Sequence, residues 1–143
     1  MTIAKILSGK GSAIMSISPH ETLHTAATHL LSKQVGALVA LDSDGKLVGI
    51  LSERDIVRLC AEQGATAMTK LVSDAMTQNV LTAIPQDSID SAMARMTDRR
   101  IRHLPVLDGS TLVGVVSIGD LVKAKIDAAQ ADADAMRAYI AAG

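Results

Sequence analysis

Two short segments of this 143-residue chain carry residue types whose spacing could do chemistry: Ser52-Glu53-Arg54-Asp55 and Ser117-Ile118-Gly119-Asp120. A Ser-x-x-Asp directly after an apolar run is first of all a capping box. The Ser caps a helix, and the acid three residues on reaches back to the cap. The same geometry suits a nucleotide. A helix N-terminus offers free N–H groups and the positive end of its dipole to a phosphate, and the Ser hydroxyl adds a bond. The Asp carboxylate can accept from both ribose hydroxyls. Capping residues already stand at the anion site, so the two roles are compatible.

Other candidates are weaker. His20-Glu21-Thr22-Leu23-His24 matches the HExxH pattern of zinc proteases, which needs both histidines on one helix face. Pro19 and the expected cap Thr22 put the helix start inside the motif, so His20 falls before the helix and zinc is not expected. His29 and Cys60 have no partners at metal or nucleophile spacing, and the methionines read as core filler. Lys10, ahead of Gly11, is a cation near the first expected strand that could reach a phosphate.

The elements that position the Ser-x-x-Asp segments are repeated. Placing Pro19 on Pro85 aligns Ser16 with Thr82, Leu23 with Ile89, Leu30 with Met96, Leu38 with Leu104 and Asp42 with Asp108. After a turn one residue shorter in the second copy, Leu47-Val48-Gly49 falls on Leu112-Val113-Gly114, and Ser52 and Asp55 fall on Ser117 and Asp120. Each copy reads as a short strand (Ala13–Ile17; Val80–Ala83), a Pro, and an amphipathic helix with apolar residues at i, i+3, i+4 and i+7. Two strands joined by an Asp/Gly turn follow (Ala37–Leu41 with Leu47–Leu51; His103–Leu107 with Leu112–Val116). A second helix then opens at Ser52 or Ser117. The last helix is expected to run to about Ala138, beyond its counterpart, which suggests docking on another copy.

The copies differ where charge matters. Copy two carries Arg99, Arg100, Arg102 and His103 where copy one has Lys33, Gln34, Gly36 and Ala37. Arg99 and Arg100 suit a solvated helix C-terminus or, equally, contact with a ligand phosphate. Gly36 and Ala37 leave room for a larger ligand, so the two sites should be inequivalent.

Composition excludes several classes. The chain is 48% hydrophobic and 1% aromatic, with no Trp or Phe, so modules that stack bases on rings have nothing to stack with. A formal net charge of −1 gives no basic footprint, and nucleic acid is an unexpected partner. The longest apolar runs fall far short of a membrane span, which takes about 20 residues. The segment Met1–Lys10 is no signal peptide. One cysteine fits a reducing compartment, and a cytoplasmic location is expected.

On Gly49-Ile50-Leu51-Ser52-Glu53-Arg54-Asp55, Gly114-Val115-Val116-Ser117-Ile118-Gly119-Asp120, Arg102-His103-Leu104-Pro105-Val106 and the Asp74-Ala75-Met76-Thr77 connector, the chain resembles the tandem CBS-domain proteins (Bateman modules). The resemblance implies an α+β fold, with two pseudo-symmetric β-α-β-β-α repeats packed through their sheets. The expected divisions are an N-terminal segment 1–12, repeats at 13–64 and 78–126, a connector at 65–77, and a helical extension at 127–143.

It further implies a regulatory, non-catalytic module that takes an adenine nucleotide (AMP, ADP, ATP or NAD(H)) between the repeats as a ligand. It also implies association into a homodimer and signalling to a protein target. Ser52, Arg54, Asp55, Ser117, Gly119 and Asp120 then stand at phosphate and ribose. Ile17, Ser18, Thr82, Ala83 and Ile84 flank the base between aliphatic walls. Arg102, His103 and Pro105 begin a strand facing the cleft, which makes Arg102 and His103 better phosphate candidates than Arg99 and Arg100. The rival readings are an enzyme related to inosine monophosphate dehydrogenase and a ligand-free structural or partner-binding protein. The first lacks that enzyme's barrel of about 250 residues.

Overall fold

A computed structural model of the chain describes residues 1–11 and 13–143; Ser12, the last residue of the expected N-terminal segment, lies outside the described residues. The fold is α+β with two pseudo-symmetric repeats. Its elements run α1 (Ile3–Lys10), β1 (Ser16–Ile17), α2 (Leu23–Lys33), β2 (Ala37–Leu41), β3 (Leu47–Ser52) and α3 (Glu53–Gln63). A 3-10 segment at Gly64–Thr69 leads to α4 (Val72–Ala75), α5 (Ile89–Arg99), β4 (His103–Asp108), β5 (Thr111–Ser117) and α6 (Ile118–Ala142).

Local chemistry sets the boundaries. Thr22 caps α2 by accepting from the Thr25 N–H, and Ser88 caps α5 by accepting from the Ser91 N–H. His20 therefore lies outside α2, and the HExxH pattern never lies along one helix. Among the described residues no group of three or more His, Cys, Asp or Glu could hold a metal ion. α2 and α5 both end on a left-handed residue that is not glycine: Gln34 (φ 55) and Arg100 (φ 54).

The first strand of each repeat is shorter than its sequence suggests. β1 covers only Ser16–Ile17, parallel to β2, with the Val39 N–H donating to the Met15 carbonyl at 3.1 Å. In repeat two the expected strand Val80–Ala83 shrinks to a single parallel bridge, Ala83 to Val106. The cause is Pro105, which occupies the position of Val39. With no N–H it cannot donate to the Leu81 carbonyl, and the ladder stops. The sheets are thus β1-β2-β3 and β4-β5, with both hairpins antiparallel.

Each repeat is closed by a segment that precedes the other repeat in sequence. Ile3 and Ala4 donate to the carbonyls of Asp87 and Pro85 in repeat two, just as Val72 and Ser73 donate to Glu21 and Pro19 in repeat one. Ile3, fully buried, joins Ile89, Ala92, Met96, Leu104, Val106, Val116 and Leu121 in the core of repeat two. Ala67, Val72 and Ala75 join Leu23, Leu30, Leu38, Leu51 and Leu59 in that of repeat one. Both cores are aliphatic, as the composition requires. A glycine receives each closing segment. A Cβ on Gly49 would lie 2.5 Å from Met76 Sδ, and one on Gly114 would lie 2.7 Å from Leu7 Cδ2.

α6 runs 25 residues, to Ala142 rather than Ala138. Its Val122, Ile126, Met136, Tyr139 and Ile140 are exposed. No helix among the described residues is long and apolar enough to cross a membrane.

Candidate functional site

β3 delivers Ser52 to the start of α3, and the capping box forms in full. Asp55 Oδ2 accepts from the Ser52 backbone N–H at 2.9 Å and from its hydroxyl at 3.1 Å. Asp55 Oδ1 accepts from Arg58 Nη1 at 3.1 Å, and Arg58 Nη2 donates to the Ala75 carbonyl. Asp55 is 6% exposed and is the one buried charged residue among those described. A carboxylate held this way keeps lone pairs for a ligand without rearranging.

This helix start opens onto a cavity of about 750 Å³ between the repeats. Repeat one contributes Gly36, Ile50, Ser52, Glu53, Arg54, Asp55 and Val57, and Thr77 lies on the connector. Repeat two contributes Asn79, Val80, Leu81 and Arg99 through His103. The acid of one repeat thus faces the basic edge of the other. Four guanidinium groups (Arg54, Arg99, Arg100, Arg102) line the cavity against the two carboxylates of Glu53 and Asp55. Arg99 sits 3.8 Å from Asp98. Among the described residues Arg54, Arg100 and Arg102 make no ion pair. Three uncommitted guanidinium groups, Arg54 from repeat one and Arg100 and Arg102 from repeat two, form a site for an anion with several oxygens.

The space above Gly36 is filled from repeat two. A Cβ there would meet His103 Cε1 at 3.1 Å and Nε2 at 3.3 Å. Burial pulls the His103 imidazole below its ordinary value of 6.5. The Asp120 and Glu53 carboxylates oppose that fall, and Lys10 and Arg102 add to it.

The second Ser-x-x-Asp has different company. Asp120 Oδ2 accepts from the Ser117 N–H at 2.8 Å, and the Asp120 N–H donates to Ser117 Oγ at 3.1 Å. Lys10, from α1, donates to the same Asp120 Oδ2 at 2.7 Å and to the Val115 carbonyl at 3.0 Å. Burial pushes the Asp120 carboxyl up, but Lys10 and Ser117 outweigh it and leave the group below its ordinary 3.8. Ser117, Gly119, Asp120 and Lys10 lie outside the residues lining the cavity.

The residues expected to flank a base also lie outside that lining. Ile17 is buried in the core of repeat one, and Ser18 accepts from the His20 and Glu21 N–H groups. The Thr82 carbonyl accepts from Arg95. Ala83 spends its N–H on Pro105 and its carbonyl on Leu107, and the Ile84 N–H donates to Asp87 Oδ2. Pro105 and Ala37 are buried within their strands. The backbone bordering the cavity is Asn79-Val80-Leu81, three residues earlier than expected. Pro105 was the signal, because it predicts an unfinished ladder at Leu81. Ile50, Glu53, Val57, Thr77 and Ile101 are further lining residues that were not among those expected at the ligand.

With this geometry in view, comparison with known proteins settles the class. The CBS domain family model matches residues 12–62 and 72–127, and the chain belongs to the CBS domain family as a two-repeat protein. A crystal structure of a CBS-domain containing protein from Agrobacterium tumefaciens aligns with TM-score 0.85 and 39% identity, covering 87% of this chain and 92% of that one. A CBS domain protein from Pyrobaculum aerophilum complexed with AMP aligns with TM-score 0.74 and 27% identity, covering 84% and 89%. A CBS domain pair in complex with 5'-methylthioadenosine and S-adenosyl-L-methionine aligns with TM-score 0.76 and 27% identity, covering 86% and 94%. Two proteins similar to this chain are thus seen with adenine ligands bound.

Proposed function

We propose that this protein is a regulatory module that binds an adenine nucleotide in the cavity between its repeats and passes the bound state to a protein target. One observation carries the reading: the Ser52–Asp55 helix start of repeat one faces the Arg99–His103 edge of repeat two across about 750 Å³. That volume suits a nucleotide-sized ligand. Asp55 would accept from the ribose hydroxyls, and the α3 N-terminus with Ser52 would hold the first phosphate. The base would lie between Ile50, Val57, Val80 and Leu81, since no Phe, Tyr or Trp lines the cavity.

The guanidinium excess favours a polyphosphate tail over a neutral thioether or a sulfonium cation. ATP and ADP are therefore placed ahead of AMP, S-adenosylmethionine and methylthioadenosine, with NAD(H) a further diphosphate candidate. Because the ligand touches both repeats, it can bias their relative arrangement by its differential affinity for each. The exposed apolar residues of α6 suit self-association into a homodimer, and the lone Cys60 thiol suits a cytoplasmic setting. No catalytic step is proposed. Cys60 packs against the core of repeat one, away from the cavity lining. A thermal-shift screen with ATP, ADP, AMP, NADH and S-adenosylmethionine tests the order, because stabilisation grows with ligand concentration over Kd. No shift with any of them would leave a ligand-free partner-binding role.

A further inference from the structure

Pseudo-symmetry relates Met76 over Gly49 to Leu7 over Gly114, and three residues further along each chain it relates Asn79 to Lys10. The two segments then part. α4 ends at Ala75 and Met76 is extended (φ −65, ψ 153), so the chain leaves as backbone that pairs Thr77 with Ile50. Asn79 comes to line the cavity at Asp55. α1 instead stays helical through Lys10 before Gly11 (φ 90) turns the chain. Leu7 and Lys10, at i and i+3, share one face of that helix. Leu7 seats the helix on Gly114, and Lys10 reaches the Val115 carbonyl and the Asp120 carboxylate. Ile3 anchors the other end in the core of repeat two.

We infer that Lys10 is an internal lock: its ammonium occupies the Asp120 carboxylate that a second nucleotide's ribose would need, so the chain binds one nucleotide, at Asp55, and not two. This rests on the nucleotide reading of the Asp55 cavity. A ribose hydroxyl at Asp120 would have to displace a cation held at 2.7 Å, in a carboxylate that also serves the Ser117 cap. In repeat one the carboxylate meets Arg58 from its own helix and no side chain from the closing segment. The corresponding residue of α6, Lys123, is exposed. The inequivalence of the two sites thus comes from α1, a part of the chain outside both repeats.

The test is calorimetric titration of the full chain with ATP, comparing wild type with Lys10→Met, which keeps the aliphatic stem and removes the charge. The expected stoichiometry is one ATP per chain in wild type and two in Lys10→Met, returning to one in Lys10→Met with Asp120→Asn. Lys10→Gln supplies the same comparison should the methionine variant fail to fold. Two ATP in wild type, or one in both Lys10 variants, overturns the lock while leaving the Asp55 reading intact. None in wild type but one in Lys10→Met overturns the Asp55 reading and supports the lock. None in any form overturns both.

Discussion

The imidazole of His103 stands directly over Gly36, close enough that a single methyl group at residue 36 would touch Cε1 at 3.1 Å. The residue before β2 and the first residue of β4 meet there, where repeat one has no side chain and repeat two has a ring. The room that Gly36 leaves is therefore already used to set a titratable group of repeat two at the edge of the cavity.

That placement predicts a pH dependence. Burial depresses His103 against the pull of Asp120 and Glu53, so the empty protein holds it neutral at pH 7. A phosphate arriving beside it would favour the imidazolium and raise its pKa. Binding should then take up a proton, and ATP affinity should rise as pH falls from about 8 to about 6 by more than the ligand's own titration explains. Calorimetry in buffers of different ionisation enthalpy reads the uptake, and His103→Gln should lose the His103 share. In the unliganded protein the sign is opposite. A histidine with a depressed folded pKa contributes stability above the unfolded value of 6.5 that is lost as pH falls below it.

Arg100 separates fold from function. It caps α5 at φ 54, a left-handed backbone that glycine adopts freely and other residues at some cost. Arg100→Gly should leave stability within about 1 kcal/mol of wild type. It should weaken ATP binding about tenfold by removing a charge-assisted contact. Equal ATP affinity in wild type and variant would remove Arg100 from the phosphate wall.

The closing segments predict a compensating pair. Gly114→Ala drives a methyl group into Leu7 and should cost about 1–3 kcal/mol in denaturant unfolding. Combining it with Leu7→Ala should recover part of that loss, a coupling visible in a double-mutant cycle. Simple additivity would mean that α1 does not rest on Gly114.

Ile3 supplies the independent check on where α1 packs. Fully buried in the core of repeat two, it should cost about 2–5 kcal/mol when changed to Ala. Hydrogen exchange should show repeat two losing protection before repeat one.

Much of this was written in local patterns. The repeat, the hairpins and both capping boxes follow from alternation, turn residues and Ser-x-x-Asp, which are short-range chemistry. The crosswise assembly was not legible. Met1–Leu7 and Lys70–Met76 play equivalent parts with little sequence in common, because what they share is a backbone path and an apolar side chain over a glycine. Setting Asp55 across a cavity from Arg99–His103 is likewise a product of how the repeats face each other. Pro105 did carry its message, since a missing N–H opposite Leu81 is a property of the sequence alone.

The central claim is that an adenine nucleotide lies against Asp55 between the repeats. Titrating ATP into wild type and Asp55→Asn by calorimetry, with circular dichroism to show that both are folded, tests it most directly. Loss of a charged acceptor for the ribose hydroxyls predicts a Kd raised about tenfold or more. The same Kd in a folded Asp55→Asn would contradict the account.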